Sequence, residues 1–160
     1  MPDARSGQTG ADPVATARPL TAVSAVGSNA GMPAVDVVRL QIPAVGVYLS
    51  VLRSATAGLA ARLNFTLEEI EDLRIAVDEA CALLLPSTIP GAHLDCEFQL
   101  APDELRVTVS ALTLDGAEPA RDSFAWTVLS ALAGEVDSRV DAQLRVSIDL
   151  VKRRTAVVGT

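Results

Sequence analysis

The feature that most constrains this chain is a pair of alternating stretches on either side of a short turn. Leu94, Cys96, Phe98 and Leu100 alternate with Asp95, Glu97 and Gln99, and Leu105, Val107, Val109 and Ala111 alternate with Arg106, Thr108 and Ser110. Successive side chains of a strand point to opposite faces, so each stretch reads as a strand with one buried and one solvated face. Ala101-Pro102-Asp103-Glu104 between them reads as the turn of a hairpin. A lone hairpin does not hold together in water; its apolar face needs further strands and a covering layer.

The rest of the chain supplies both. Val38, Leu40 and Ile42 alternate with Val37, Arg39 and Gln41, a one-sided strand that Pro43 ends. From Val45 to Asn64 the residues Val47, Val51, Leu52, Leu59 and Leu63 fall at helical spacing, with Asn64 as C-cap and Arg53 off the apolar face, pointing outward. Thr66-Leu67-Glu68-Glu69 is a capping box. The helix it opens is expected to bury Leu67, Ile70, Leu73, Val77, Cys81 and Leu84 before Pro86 stops it. After a loop at 112–122, Phe124, Val128, Leu129 and Leu132 suit a helix ending at Gly134. A short strand at 135–139 and a longer one at 143–151, with Leu144, Val146, Ile148 and Leu150 on one face, complete the pattern. The order is strand, two helices, hairpin, helix, hairpin. It predicts an α+β two-layer sandwich, a mainly antiparallel sheet with helices on one face.

Residues 1–34 hold Leu20 as their one Leu or Ile and show no periodicity, so they are expected to form a disordered tail; the domain spans 35–152, and 153–160 form a short second tail. Charge and composition narrow the function. Twenty Asp and Glu against thirteen Lys and Arg give a net charge of −7, which gains no counterion-release affinity for nucleic acid. Aromatics at 3% supply no base-stacking platform. An acidic surface suits a basic protein partner instead. Cys81 and Cys96 sit inside apolar patterns and read as reduced buried thiols, and His93, the single histidine, has no cluster around it for zinc or a catalytic triad. No signal-peptide pattern and no uninterrupted apolar run of membrane length is present, so a soluble, cytoplasmic protein without a membrane partner is expected.

Residues 70–85, Ile-Glu-Asp-Leu-Arg-Ile-Ala-Val-Asp-Glu-Ala-Cys-Ala-Leu-Leu-Leu, resemble the first ATP-binding box of the GHKL superfamily. They look most like the small anti-sigma-factor serine kinases of Gram-positive bacteria. Residues 123–136, Ser-Phe-Ala-Trp-Thr-Val-Leu-Ser-Ala-Leu-Ala-Gly-Glu-Val, add a weaker match after the loop, and the resemblance covers about 36–152. It implies the histidine-kinase-like ATPase fold, with Phe124 and Trp126 as core residues.

In that family a Glu positions a water or proton acceptor, and an Asn four residues later holds Mg²⁺ against the ATP phosphates. Glu79 matches the Glu, but Leu83 stands at the Asn position and offers no oxygen to a hard cation. The family's Asp that reads adenine aligns with Ala111, and the Gly after it with Thr113. Asp115-Gly116 is either a shifted remnant of that box or an ordinary turn. The glycines that admit phosphate at a helix start align with Ser123 and Ala125. The resemblance therefore implies a degenerate ATP site with no bound cofactor and no metal, where an intact one would take ATP and Mg²⁺. Glu79 is then a relic that caps, pairs with Arg74 or lines an empty groove, or else a residual acid–base group; Asp78 is a solvated neighbour.

What remains of the family's function is protein binding: sequestration of a stress- or development-type sigma factor, released by an anti-sigma antagonist of STAS type. The alternative is an active ATP-dependent serine kinase acting on that antagonist. Family alignment puts the partner-contacting Arg of the first helix at Arg53, which is otherwise a solvated surface residue. The resemblance also implies a homodimer, with 36–42 as the natural edge strand.

Overall fold

The structure, a computed structural model, describes residues 34–156. Strand β1 (Asp36–Pro43) leads through a 3₁₀ turn (Gly46–Tyr48) into α1 (Leu49–Arg62), and α2 (Leu67–Leu84) follows. The hairpin β2 (His93–Leu100) and β3 (Glu104–Leu112) comes next, then α3 (Phe124–Ala133), β4 (Glu135–Val140) and β5 (Arg145–Arg153). The five strands form one sheet in the order β1-β2-β3-β5-β4, antiparallel at every step. The α+β two-layer architecture expected from the alternation is the one observed. The proposed tail over 1–34 lies outside the described residues apart from Ala34, as do 157–160.

The register follows from burial of one face. Leu94 pairs with Ala111 and Leu100 with Leu105, closed by Ala101 N–H donating to the Glu104 carbonyl at 2.9 Å. Val109 in turn faces Ile148 across β3–β5. A slip of one residue would turn Leu94, Cys96, Phe98 and Leu100 out to water. All four are buried under the helices with Leu105, Val107, Val109, Val146, Ile148 and Leu150. Each large side chain among them contributes about 1.5–3 kcal/mol relative to exposure.

Helix α2 lies between α1 and α3 and packs against both. Its capping box is formed: Glu69 N–H donates to Thr66 Oγ1 at 3.2 Å, and Thr66 N–H donates to Glu69 Oε2 at 2.8 Å. Ile70, Leu73, Val77, Cys81 and Leu84 are buried as expected, but Leu67 is not; it is 83% exposed. Phe124, the equivalent first residue of α3, is also 83% exposed, against the core position expected of it. Each side chain directly follows an N-cap, and the buried stripe of α3 runs through Trp126, Leu129 and Ala133 instead. Gly134 ends α3 at φ 94°, a conformation open to glycine alone at low cost.

The apolar face of α1 also differs from expectation. Val47 and Val51 face solvent, and the buried stripe is Leu52, Thr56 and Ala60. These fall at i, i+4 and i+8, one helix face, and Thr56 Oγ1 donates to the Leu52 carbonyl at 2.7 Å, so its hydroxyl is satisfied inside the core. Leu144 is displaced from the face of β5 into the turn before it, at φ 62° and 42% exposed. Asp141 Oδ1 accepts from the Gln143 and Arg145 N–H groups and holds that turn. At the far end β5 runs on to Arg153, and Thr155 is hydrogen-bonded to α2, so the chain stays attached to the fold beyond the boundary at 153.

Candidate functional site

The residues singled out for nucleotide chemistry come from three elements. Glu79 and Leu83 lie one turn apart on α2, both half-buried. Ala111 and Thr113 sit at the end of β3, and Ser123 and Ala125 at the start of α3. Arg74 pairs with Glu71, one turn back, not with Glu79.

Ala111, Thr113 and Ser123 are each held in a structural contact. Ala111 has no exposed surface and stands in the ladder between Leu94 and Val146. Thr113 is buried; its hydroxyl donates to the Leu144 carbonyl at 2.8 Å and accepts from Gly116 N–H at 2.9 Å. Asp115 accepts from Ala117 N–H at 3.0 Å, two residues on, the local bond of an Asx turn. Ser123 is the N-cap of α3, and its Oγ accepts from Trp126 N–H at 3.2 Å. That N–H is one of the helix-start donors that would otherwise be free for an anion. Arg121 lies 5.1 Å from the centre of the Trp126 ring and donates to Asp137 and Ser138 on β4, while Ser138 Oγ donates to Glu118. The loop before α3 is thereby tied to the sheet edge. Trp126 is buried, as expected of a core residue.

Arg53 is on α1, and its Nη1 donates to Asp78 Oδ2 on α2 at 3.0 Å. Its side chain is 42% exposed, so it faces solvent with one hydrogen donated inward. Asp78 is therefore not the solvated neighbour expected from sequence: its Oδ1 is buried and without a hydrogen-bond partner. Val45, Val47, Tyr48 and Val51, just before and within the first turn of α1, are all exposed.

The bare face of the sheet holds a hollow of about 800 Å³. Arg39 donates to Glu97 and Gln41 to Asp95, each at 2.7 Å; Arg145 donates to Asp95 at 2.6 Å, and Arg139 pairs with Asp149. The Glu97 carboxyl is held below its ordinary range by the Gln99 amide and then by Arg39. Sequence alternation marks these side chains as outward, but it does not show that they pair across strands. Burial pushes the Cys81 thiol up to about 12, with Asp78 adding to it, and raises Cys96 further. Among the described residues no His, Cys, Asp and Glu cluster could hold a metal ion, and no helix is long and apolar enough to cross a membrane.

An antiparallel sheet with three helices on one face, and a long central helix carrying Leu-Arg-Ile-Ala-Val-Asp-Glu-Ala-Cys, defines a protein of the GHKL type. No family model matches the chain. It is 33% identical over 109 residues, 68% of its own length and 65% of the relative's, to the anti-sigma-F factor RsbW of Mycobacterium tuberculosis. It is 47% identical over 81 residues, about half of each chain, to the serine-protein kinase RsbW of Bacillus pumilus. To the serine-protein kinase RsbW of Halalkalibacterium halodurans it is 23% identical over 141 residues, 87% of that protein. The chain thus spans less than two thirds of the Mycobacterium relative and about half of the Bacillus pumilus one. These relatives belong to the anti-sigma kinase family of the GHKL superfamily, the family that this chain resembles.

Proposed function

We propose that this chain is a cytoplasmic anti-sigma factor, a binding module that holds a sigma factor away from RNA polymerase and yields it when an anti-sigma antagonist of STAS type competes for an overlapping surface. The observation that carries this reading is the set of contacts at the nucleotide positions. Leu83 has no oxygen for Mg²⁺, Ala111 is sealed in the ladder, and the Ser123 hydroxyl takes up a donor of α3. These residues do not fit a magnesium–nucleotide group. The name of the Mycobacterium tuberculosis relative, an anti-sigma-F factor, supports the sigma-factor assignment.

The binding surface is assigned to the start of α1. Arg53 keeps most of its N–H donors outward, and its planar fork suits a partner carboxylate. Exposed Val47, Tyr48 and Val51 supply apolar area in the same segment. Without ATP turnover, release runs on competing affinities. A homodimer through the outer edge of β1, where Val35 and Val37 are exposed, completes the reading.

Titration calorimetry with Mg-ATP, and gel filtration with each sigma factor of the source organism, test this together. No heat of binding and one stable sigma-factor complex are expected. Specific Mg-ATP binding with phosphate transfer to an antagonist would establish the second reading, a working serine kinase, which the half-buried Glu79 and the kinase names of the relatives favour.

A further inference from the structure

Across the end of β5 the chain carries Lys152-Arg153-Arg154-Thr155, its one run of three consecutive cations. Two of these cations are read by acids within the fold. Lys152 Nζ donates to the Leu132 carbonyl at 2.8 Å and to Asp72 at 3.3 Å, and Arg153 pairs with Glu104 and Glu135. Thr155 then closes the segment onto α2: both its N–H and its hydroxyl donate to Glu69 Oε1, each at 2.8 Å. Thr155 itself is exposed, whereas Glu69 is buried, and 154–156 have no regular structure. We propose that Thr155 is a phosphorylation site for a serine/threonine protein kinase that reads basic residues on the N-terminal side of its target, and that the phosphate releases the C-terminal segment from α2.

The target chemistry is on the page. A kinase groove lined with carboxylates would meet the same cations that Asp72, Glu104 and Glu135 meet within the fold. Residues 152 and 153 pair with β3 alone, because β4 begins opposite Val151, and Arg154 N–H donates to the Asp103 carbonyl at 2.8 Å, so this end of β5 is held from one side. In the transfer, Thr155 Oγ1 bonds to the γ-phosphorus of ATP, the bond from that phosphorus to the β,γ-bridging oxygen breaks, ADP departs, and the hydroxyl proton passes to a carboxylate of the kinase.

The product sets a phosphate dianion against a carboxylate that stays ionised. Burial alone would raise the Glu69 carboxyl, but hydrogen bonds from Thr155 and Thr66, backbone and side chain, outweigh it and hold the group at about 2. Like charges in hydrogen-bond reach repel, and the hydroxyl that bonded Glu69 is now esterified. The capping box does not depend on Thr155, so α2 persists while the segment leaves.

The full chain, incubated with Mg-ATP and the catalytic subunit of a basophilic serine/threonine kinase, tests this by peptide mass spectrometry and amide hydrogen exchange. One phosphate on Thr155 is expected, with the Arg154 and Thr155 amides exchanging at least about tenfold faster afterwards. Glu69→Gln should raise the initial rate of phosphorylation roughly fivefold by weakening the latch. Phosphate only at other hydroxyls, or unchanged exchange at 154 and 155 in protein phosphorylated on Thr155, overturns the proposal. The exchange arm uses the native sequence and so stands whether or not Glu69→Gln folds.

Discussion

Arg53 on α1 and Asp78 on α2 are joined by a 3.0 Å ion pair across the seam between two packed helices. The residue proposed to face a partner is thus held from behind by its own fold. A guanidinium fixed on one side loses less freedom when a second carboxylate takes its remaining donors.

That pairing predicts two separable effects of mutation. Arg53→Ala should cost about 1 kcal/mol in urea unfolding, because it leaves a half-buried Asp78 without a cation. Asp78→Asn should cost no more, since an amide still accepts from Arg53. Only the Arg53 change should abolish the sigma-factor complex, read by gel filtration; an intact complex with Arg53→Ala would remove that residue from the interface.

Restoring the family's acid at position 111 should break the fold rather than rebuild a site. Ala111 has no exposed surface, and a carboxylate there would face the apolar layer without a partner. Ala111→Asp should lose at least about 3 kcal/mol in chemical denaturation and gain no Mg-ATP binding by calorimetry.

Glu69 predicts an acid limit. Its folded value near 2 lies below the ordinary 4.5, so its contribution is complete above pH 4.5 and is lost as the pH falls toward 2. The loss is on the order of 3 kcal/mol. Stability measured across that window should fall less steeply in Glu69→Gln, and parallel curves would exclude the assignment.

The two cysteines should behave as core atoms. With Cys81 near 12 and Cys96 raised further, both by burial first, neither carries appreciable thiolate at pH 8. A colorimetric disulfide reagent should leave both unmodified in the folded protein and react with both in denaturant.

Much of this architecture was readable in one dimension because its cause is local. Period-two alternation placed β1, β2 and β3, and Thr66 and Glu69 announced α2 three residues apart. The same reasoning misplaced Val47, Val51, Leu67, Phe124 and Leu144. In alanine-rich α1 several faces carry apolar residues, and packing against α2 selected Leu52, Thr56 and Ala60. The absence of a metal-ligand oxygen at Leu83 was plain from the residue alone, whereas the cap formed by Ser123 and the burial of Ala111 were not.

By itself the sequence determined the two-layer class, through spacing between near neighbours, and the family resemblance, through the residues at 70–85 and 123–136. Only the tertiary structure decided that Arg53 leans on Asp78 and that Thr155 reaches Glu69. These residues are 25 and 86 positions apart, and hydrogen bonds over such separations exist only once the helices and sheet have packed.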